Sequence, residues 1–159
     1  MTEDARKPLA VIGVGNVLFG DDGFGVRVIW ELQKNPPSGA DLIDGGSLGL
    51  DLLDLLQSYW RVIIVDAADM ALPPGTVKTF APDDVRSIAP DDRLSLHSTD
   101  ILGVIELGKA LGETLADVTI VAVQPDFVGP KDGLSDVVAR ALPAAVEAVT
   151  LSAGRLQGR

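Results

Sequence analysis

The segment Leu9-Ala-Val-Ile-Gly-Val-Gly-Asn16-Val-Leu-Phe-Gly20-Asp21-Asp22-Gly23-Phe24-Gly25 sets the architecture of this chain. Leu9–Val14 is an unbroken apolar run, short enough for a strand buried on both faces. The Gly13-Val-Gly-Asn16 sequence then punctuates it as a turn. Two adjacent carboxylates, Asp21 and Asp22, follow among glycines. A helical apolar spacing predicts a helix over Phe24–Lys34, capped by Asp21 or Asp22 and stopped by Asn35-Pro36-Pro37. The unit is strand, acidic loop, helix. A phosphate site would gather backbone N–H groups and cations in such a loop. Two negative charges suit a cation instead.

Outward from this unit, strand and helix patterns alternate. Strands are predicted over Ala40–Ile43, Arg61–Asp66, Thr76–Phe80 and Val118–Val123. Helices are predicted over Leu48–Gln57, Ser98–Leu111 and Leu134–Leu151, the last kinked or split at Pro143, with polar loop between Pro82 and Leu96. Apolar strands separated by helices imply a parallel sheet covered on both faces, with right-handed crossovers. The expected fold is a three-layer α/β/α sandwich with a twisted, mostly parallel sheet of about five strands. It forms a single domain over residues 1–159 with its core at about 8–151.

Bulk properties narrow the function. Hydrophobic residues make up 47% of the chain and aromatics only 4%, so the core must be aliphatic. A net charge of −10 argues against nucleic acid and anionic membranes as partners. Of 23 acids, 18 are Asp and 5 Glu, which places much of the charge in loops and at element ends. With no cysteine, disulfides, thiolate metal sites and cysteine nucleophiles are excluded. The polar start Met1-Thr-Glu-Asp-Ala-Arg-Lys-Pro8 lacks a signal-peptide core, and no apolar run approaches a membrane span of ~20 residues, so a cytoplasmic location is expected.

Ligands of such sheets bind beyond the carboxyl ends of the strands. Asp22, Asp44 and Asp66 follow the first three strands, His97 precedes the third main helix, and Gln124-Pro125-Asp126 follows the last strand. Each has a plain reading: Asp22 as a helix cap, Asp66 as a loop cap, the lone His97 as a surface residue. Together Asp22, Asp66 and His97 make an open set of two carboxylates and one imidazole. Such a set suits zinc, nickel, cobalt or iron. If the sheet order begins 2-1-3, the strands before Asp22 and Asp66 are neighbours about 4.8 Å apart.

Two other readings stay open. Gly45-Gly-Ser47-Leu-Gly49 matches a nucleophile elbow, and Ser47, Asp66 and His97 follow the hydrolase order Ser, Asp, His. In a 2-1-3 order, however, Ser47 and Asp66 fall on opposite sides of the first strand, and Ser47 serves equally as the N-cap of the second helix. A nucleotide-binding module would need a third glycine where Leu18 stands, and an acid closing a strand ~20 residues onward.

The sequence resembles the hydrogenase maturation endopeptidases. The resemblance rests on Gly13-Val-Gly-Asn-Val-Leu-Phe-Gly-Asp-Asp-Gly-Phe-Gly25 and on Asp44-Gly45-Gly46. It continues in Val62-Ile-Ile-Val-Asp66-Ala67, the isolated Leu96-His97 and Val121-Ala-Val-Gln-Pro125. It implies a twisted, largely parallel sheet between helices and metal contact through Asp22, Asp66 and His97. Some relatives carry Glu, one methylene longer, where Asp22 stands. The implied activity is removal of a C-terminal extension from a nickel–iron hydrogenase large-subunit precursor. The cut follows nickel insertion and lies near the last metal-binding cysteine motif. Nickel seated in the substrate is then what the protease recognises, although other divalent metals can occupy such a site. The implied partner is that precursor, met by a monomer. Asp44, Gly45 and Gly46 are expected to shape the substrate groove. A non-catalytic accessory module that binds nickel or nucleotide is the non-enzymatic alternative.

Overall fold

The computed structural model describes residues 5–84, 95–96 and 101–157. Six strands lie among the described residues: β1 (Lys7–Val14), β2 (Ala40–Gly46), β3 (Tyr59–Asp69), β4 (Val77–Phe80), β5 (Ser95–Leu96) and β6 (Asp117–Val123). Among the same residues the α-helices are α1 (Phe24–Leu32), α2 (Asp51–Ser58), α3 (Ile101–Ala110), α4 (Asp136–Ala139) and α5 (Leu142–Gln157). The main sheet runs β2-β1-β3-β6-β4, parallel except for β4, which pairs antiparallel with β6 at the edge. The order therefore begins 2-1-3, the case in which the strands before Asp22 and Asp66 are neighbours. The short β5 pairs antiparallel with the far end of β3.

Alternation along the strands divides the core in two. Ala10, Ile12, Val14, Val62, Ile64, Ile120 and Ala122 face α2 and α3, meeting Leu52, Leu56, Ile101 and Ile105. Leu9, Val11, Ile63, Val65, Val121 and Val123 face α1 and α5, meeting Phe24, Val28, Ile29, Ala145 and Val149. Each fully buried Val, Leu or Ile contributes ~1.5–3 kcal/mol, so both layers of helices are held by aliphatic burial. By length and apolar composition the segment Asp136–Arg155 would pass for a membrane span. Its stripe of Val138, Ala141, Ala145, Val149 and Ala153 instead packs on the sheet, as in a core helix.

Several boundaries differ from the sequence reading. β2 runs on through Asp44, Gly45 and Gly46 instead of stopping at Ile43, with an irregularity opposite Gly13 and Val14. The helix read from Leu48 begins at Asp51, with Leu50 as its N-cap, so Ser47 is not the cap. β3 extends at both ends, because Tyr59 at one end and Ala67-Ala68-Asp69 at the other find ladder partners. The last helix is split as read, and Pro143 lies in the first turn of α5, where its missing N–H costs nothing. Ser98, Thr99 and Asp100, read as the start of the third helix, lie outside the described residues.

Candidate active site

The carboxyl ends of β1, β3 and β6 lie side by side on one edge of the sheet. The acidic loop after β1 forms a single 3₁₀ turn, Gly20–Gly23, which leads into α1 and packs against β3. Neither acid in it caps α1: the N-cap is Gly23, with no side-chain capping bond. That expectation fails because both carboxylates are engaged elsewhere.

Two glycines bring the turn this close. Gly15 has φ 131°, a conformation L side chains rarely adopt, and a Cβ there would collide with the Asp22 carbonyl oxygen. A Cβ on Gly25 would run into the carbonyl oxygens of Val65 and Val14. The first turn of α1 thus rests directly on the backbones of β1 and β3. Asp66 lies one residue beyond Val65.

Asp21 and Asp22 have opposite environments. Asp21 is fully buried and accepts four hydrogen bonds: from the N–H groups of Asp126 (2.8 Å), Phe127 (2.9 Å) and Ser135 (2.7 Å) and from the Ser135 hydroxyl (2.8 Å). Burial pushes its carboxyl up, but these donors outweigh burial and hold it below the ordinary Asp value. Backbone bonds reinforce the seam, from Asp21 N–H to Phe127 O (2.9 Å) and from Gly20 N–H to Lys131 O (2.8 Å). Asp22 is 6% exposed; its Oδ2 accepts the Asn16 N–H at 2.9 Å. Its Oδ1 is buried and has no hydrogen-bond partner among the described residues. A buried acceptor left open in this way is the kind of atom a cation completes.

Asp66 is fully buried near the end of β3, with Oδ1 accepting the Ala67 N–H at 2.8 Å. Strand alternation places it between Ile64 and Ala68 on the α2–α3 side of the sheet. The neighbouring ladder pairs Ala68 with Leu96 and Asp69 with Ser95. His97 itself lies outside the described residues, and among those described no three His, Cys, Asp or Glu side chains form a metal-sized group. Asp44 is exposed near the end of β2 and accepts the Gly46 N–H at 3.2 Å. Gly46 needs its positive φ of 51° and has open space where a Cβ would stand, whereas Gly45 packs against Leu48 and Gly13. Ser47 is exposed beyond β2, and β1 separates that strand from β3, so Ser47 and Asp66 are not brought together.

Two positions carry more than the sequence reading gave them. Asp21 was read only as a cap. Gln124 buries its carboxamide, accepts the Met70 N–H at 2.6 Å and donates to Asp69 Oδ1 at 3.2 Å, tying the end of β3 to β6. A polar residue closing an apolar strand was the signal for it. A surface pocket lined by Arg6, Asp54, Gln57, Ser58, Glu113 and Thr114 lies at the opposite edge, where β1, β3 and β6 begin, and shares no residue with the acid turn.

A family model described as hydrogenase maturation protease (HycI) matches residues 26–152. The chain belongs to the hydrogenase maturation proteases. It is 35% identical over 127 residues to the hydrogenase expression/formation protein HupD of Thiocapsa roseopersicina, covering 76% of this chain and 58% of that protein. HupD of Bradyrhizobium diazoefficiens is 34% identical over 135 residues, covering 81% and 70%. The chain thus spans only part of the length of those curated relatives. Solved structures match over most of both chains. The hydrogenase maturating endopeptidase HybD from E. coli superposes with a TM-score of 0.79 at 30% identity, covering 95% and 94% of the two chains. A hydrogenase 2 maturation peptidase from a Thaumarchaeota archaeon gives 0.69 at 32%, covering 93% and 99%. The family match opens at Val26, after the acid turn, so the geometry around Asp22 is an observation separate from it.

Proposed function

We propose that this protease removes the C-terminal extension of a nickel–iron hydrogenase large-subunit precursor after nickel insertion. The substrate's nickel is recognised by Asp22, Asp66 and His97. The observation that carries this reading is the open Asp22 Oδ1, buried in a turn that packs against β3, the strand that carries Asp66. The pairing of Leu96 with Ala68 supports the third member, since the chain passes from that ladder directly into His97. A carboxylate pair with an imidazole suits borderline metals such as nickel. The exposed Leu18, Phe19, Phe127 and Val128 on the two loops beside the acid turn suit a protein substrate better than a small one. Asp44, Gly45 and Gly46 border the groove that receives it.

In this reading the substrate's own nickel draws the scissile region onto the acids and polarises the peptide carbonyl. A water, activated by the ion or a carboxylate, attacks the carbonyl carbon, and the proton passes on to the departing amine. A precursor without nickel offers the acids nothing to hold and is not cut.

The test is the intact mass of nickel-loaded and nickel-free precursor before and after mixing with this protease. Loss of a C-terminal peptide from the loaded form alone is expected. Equal cutting of both forms would remove nickel from the recognition step, and an unchanged mass in both would remove the activity.

A further inference from the structure

We infer that Asp21 is a positioning residue for Asp22: by locking the acid turn to the loop after β6, it fixes where the Asp22 carboxylate stands. This rests on Asp22 acting as proposed above. A 3₁₀ turn advances about 120° per residue, so neighbouring side chains leave it in different directions. Here Asp21 is directed to the loop at Asp126, Phe127 and Ser135, while Asp22 is directed back to the Asn16 N–H.

The lock is complete where it would be needed. All four bonds to the Asp21 carboxylate are donations to it, from residues 105 to 114 positions away in sequence. The N–H groups of Gly20 and Asp21 are held by Lys131 and Phe127 oxygens, and Leu18 O receives the Lys131 N–H at 3.0 Å. With turn and loop joined by side chain and backbone, the Asp22 backbone has no freedom to tilt. Helix capping does not explain the side chain, since Asp21 makes no capping bond. A displaced catalytic group about 1 Å from its productive place loses up to about a hundredfold in rate, which is the scale of effect expected.

The variants Asp21→Asn and Ser135→Ala test this. An Asn must present an N–H to at least one of the present donors, and Ser135→Ala deletes a single donor while leaving the carboxylate. Measured together are kcat and KM for nickel-loaded precursor, the melting temperature and the Asn16 amide resonance, which reports the Asp22 carboxylate directly. Asp21→Asn is expected to lower kcat about ten- to hundredfold with KM within about threefold, and to shift the Asn16 resonance in a protein still folded at the assay temperature. Ser135→Ala is expected to shift the same resonance in the same direction, with a kcat loss of about two- to fivefold. Wild-type kcat and an unmoved Asn16 resonance in whichever variants fold would overturn the inference, and Ser135→Ala decides it if Asp21→Asn does not fold. Asp22→Ala separates the two layers. If it keeps full activity, the reading of the site fails; if it is inactive while Asp21→Asn is fully active, only the positioning role fails.

Discussion

Leu96 stands opposite Ala68 in the β3–β5 ladder, two residues beyond Asp66. The antiparallel pair brings a segment distant in sequence back to the end of β3. It does so at the edge where β1 and β6 also end. Asp66→Asn keeps the shape of the side chain and removes its charge. Cleavage of nickel-loaded precursor by this variant, and by His97→Gln, is expected to fall at least about a hundredfold with the circular dichroism spectrum unchanged. Full processing by either variant, followed by mass spectrometry, would dismiss the metal-recognising set.

Ser47→Ala is expected to process precursor within about twofold of wild type. The residue is exposed beyond β2, away from Asp66, and exposed substitutions of this kind change little. A serine-directed phosphonate should likewise leave the rate untouched. Inactivation by either route would restore the serine hydrolase reading.

Gly25→Ala tests the seat of α1. The added Cβ meets main-chain oxygens of Val65 and Val14, which cannot rotate away. Overpacking against backbone is expected to cost about 3 kcal/mol, read as a lower urea midpoint. A midpoint equal to wild type would show that the contact between α1 and the sheet is looser than described.

Gln124→Ala leaves the Met70 N–H without its acceptor and removes the donor to Asp69. A buried group stripped of its partner costs about 1–3 kcal/mol, so unfolding in urea should shift accordingly. The same midpoint in both proteins would mean that other groups satisfy the end of β3.

Tyr59 is the single tyrosine, so its titration can be followed by ultraviolet absorbance without interference. Burial first, and then its 2.6 Å hydrogen bond to Asp41 Oδ2, push the phenol up to about 12. The neutral phenol is the form the fold favours. Its stabilisation is therefore complete below the unfolded value of ~10 and lost as pH rises from there to about 12. Asp41→Asn should lower the absorbance midpoint. A folded wild-type midpoint at the ordinary tyrosine value would refute the assignment.

The sheet was legible because its signal is local. Leu9–Val14, Arg61–Asp66 and Val118–Val123 are continuous apolar runs, and each became a strand covered on both faces. Asp22 and Asp66 were legible as polar residues placed where such runs end. What stayed hidden depends on partners far along the chain. Nothing in an Asp-Asp pair tells which acid is saturated and which is open, because the distinction is made by Ser135 and Phe127. β5, with two residues, is below the length at which alternation can be read, and its pairing exists only because β3 overruns the sheet. The start of α2 was misplaced because Gly49 and Leu50 fit a helical apolar pattern while the chain is still turning out of β2.

The seam between Gly20-Asp21 and the segment 126–135 also orders events in time. A chain made from its N-terminus produces the acid turn early and the donors that hold it more than a hundred residues later. Contacts of such long sequence separation form late and slowly compared with local ones. The central strands can therefore begin to associate while the acid turn is still unheld. The position of Asp22 in a nascent chain is therefore fixed only once the segment 126–135 has been made and has folded against the turn.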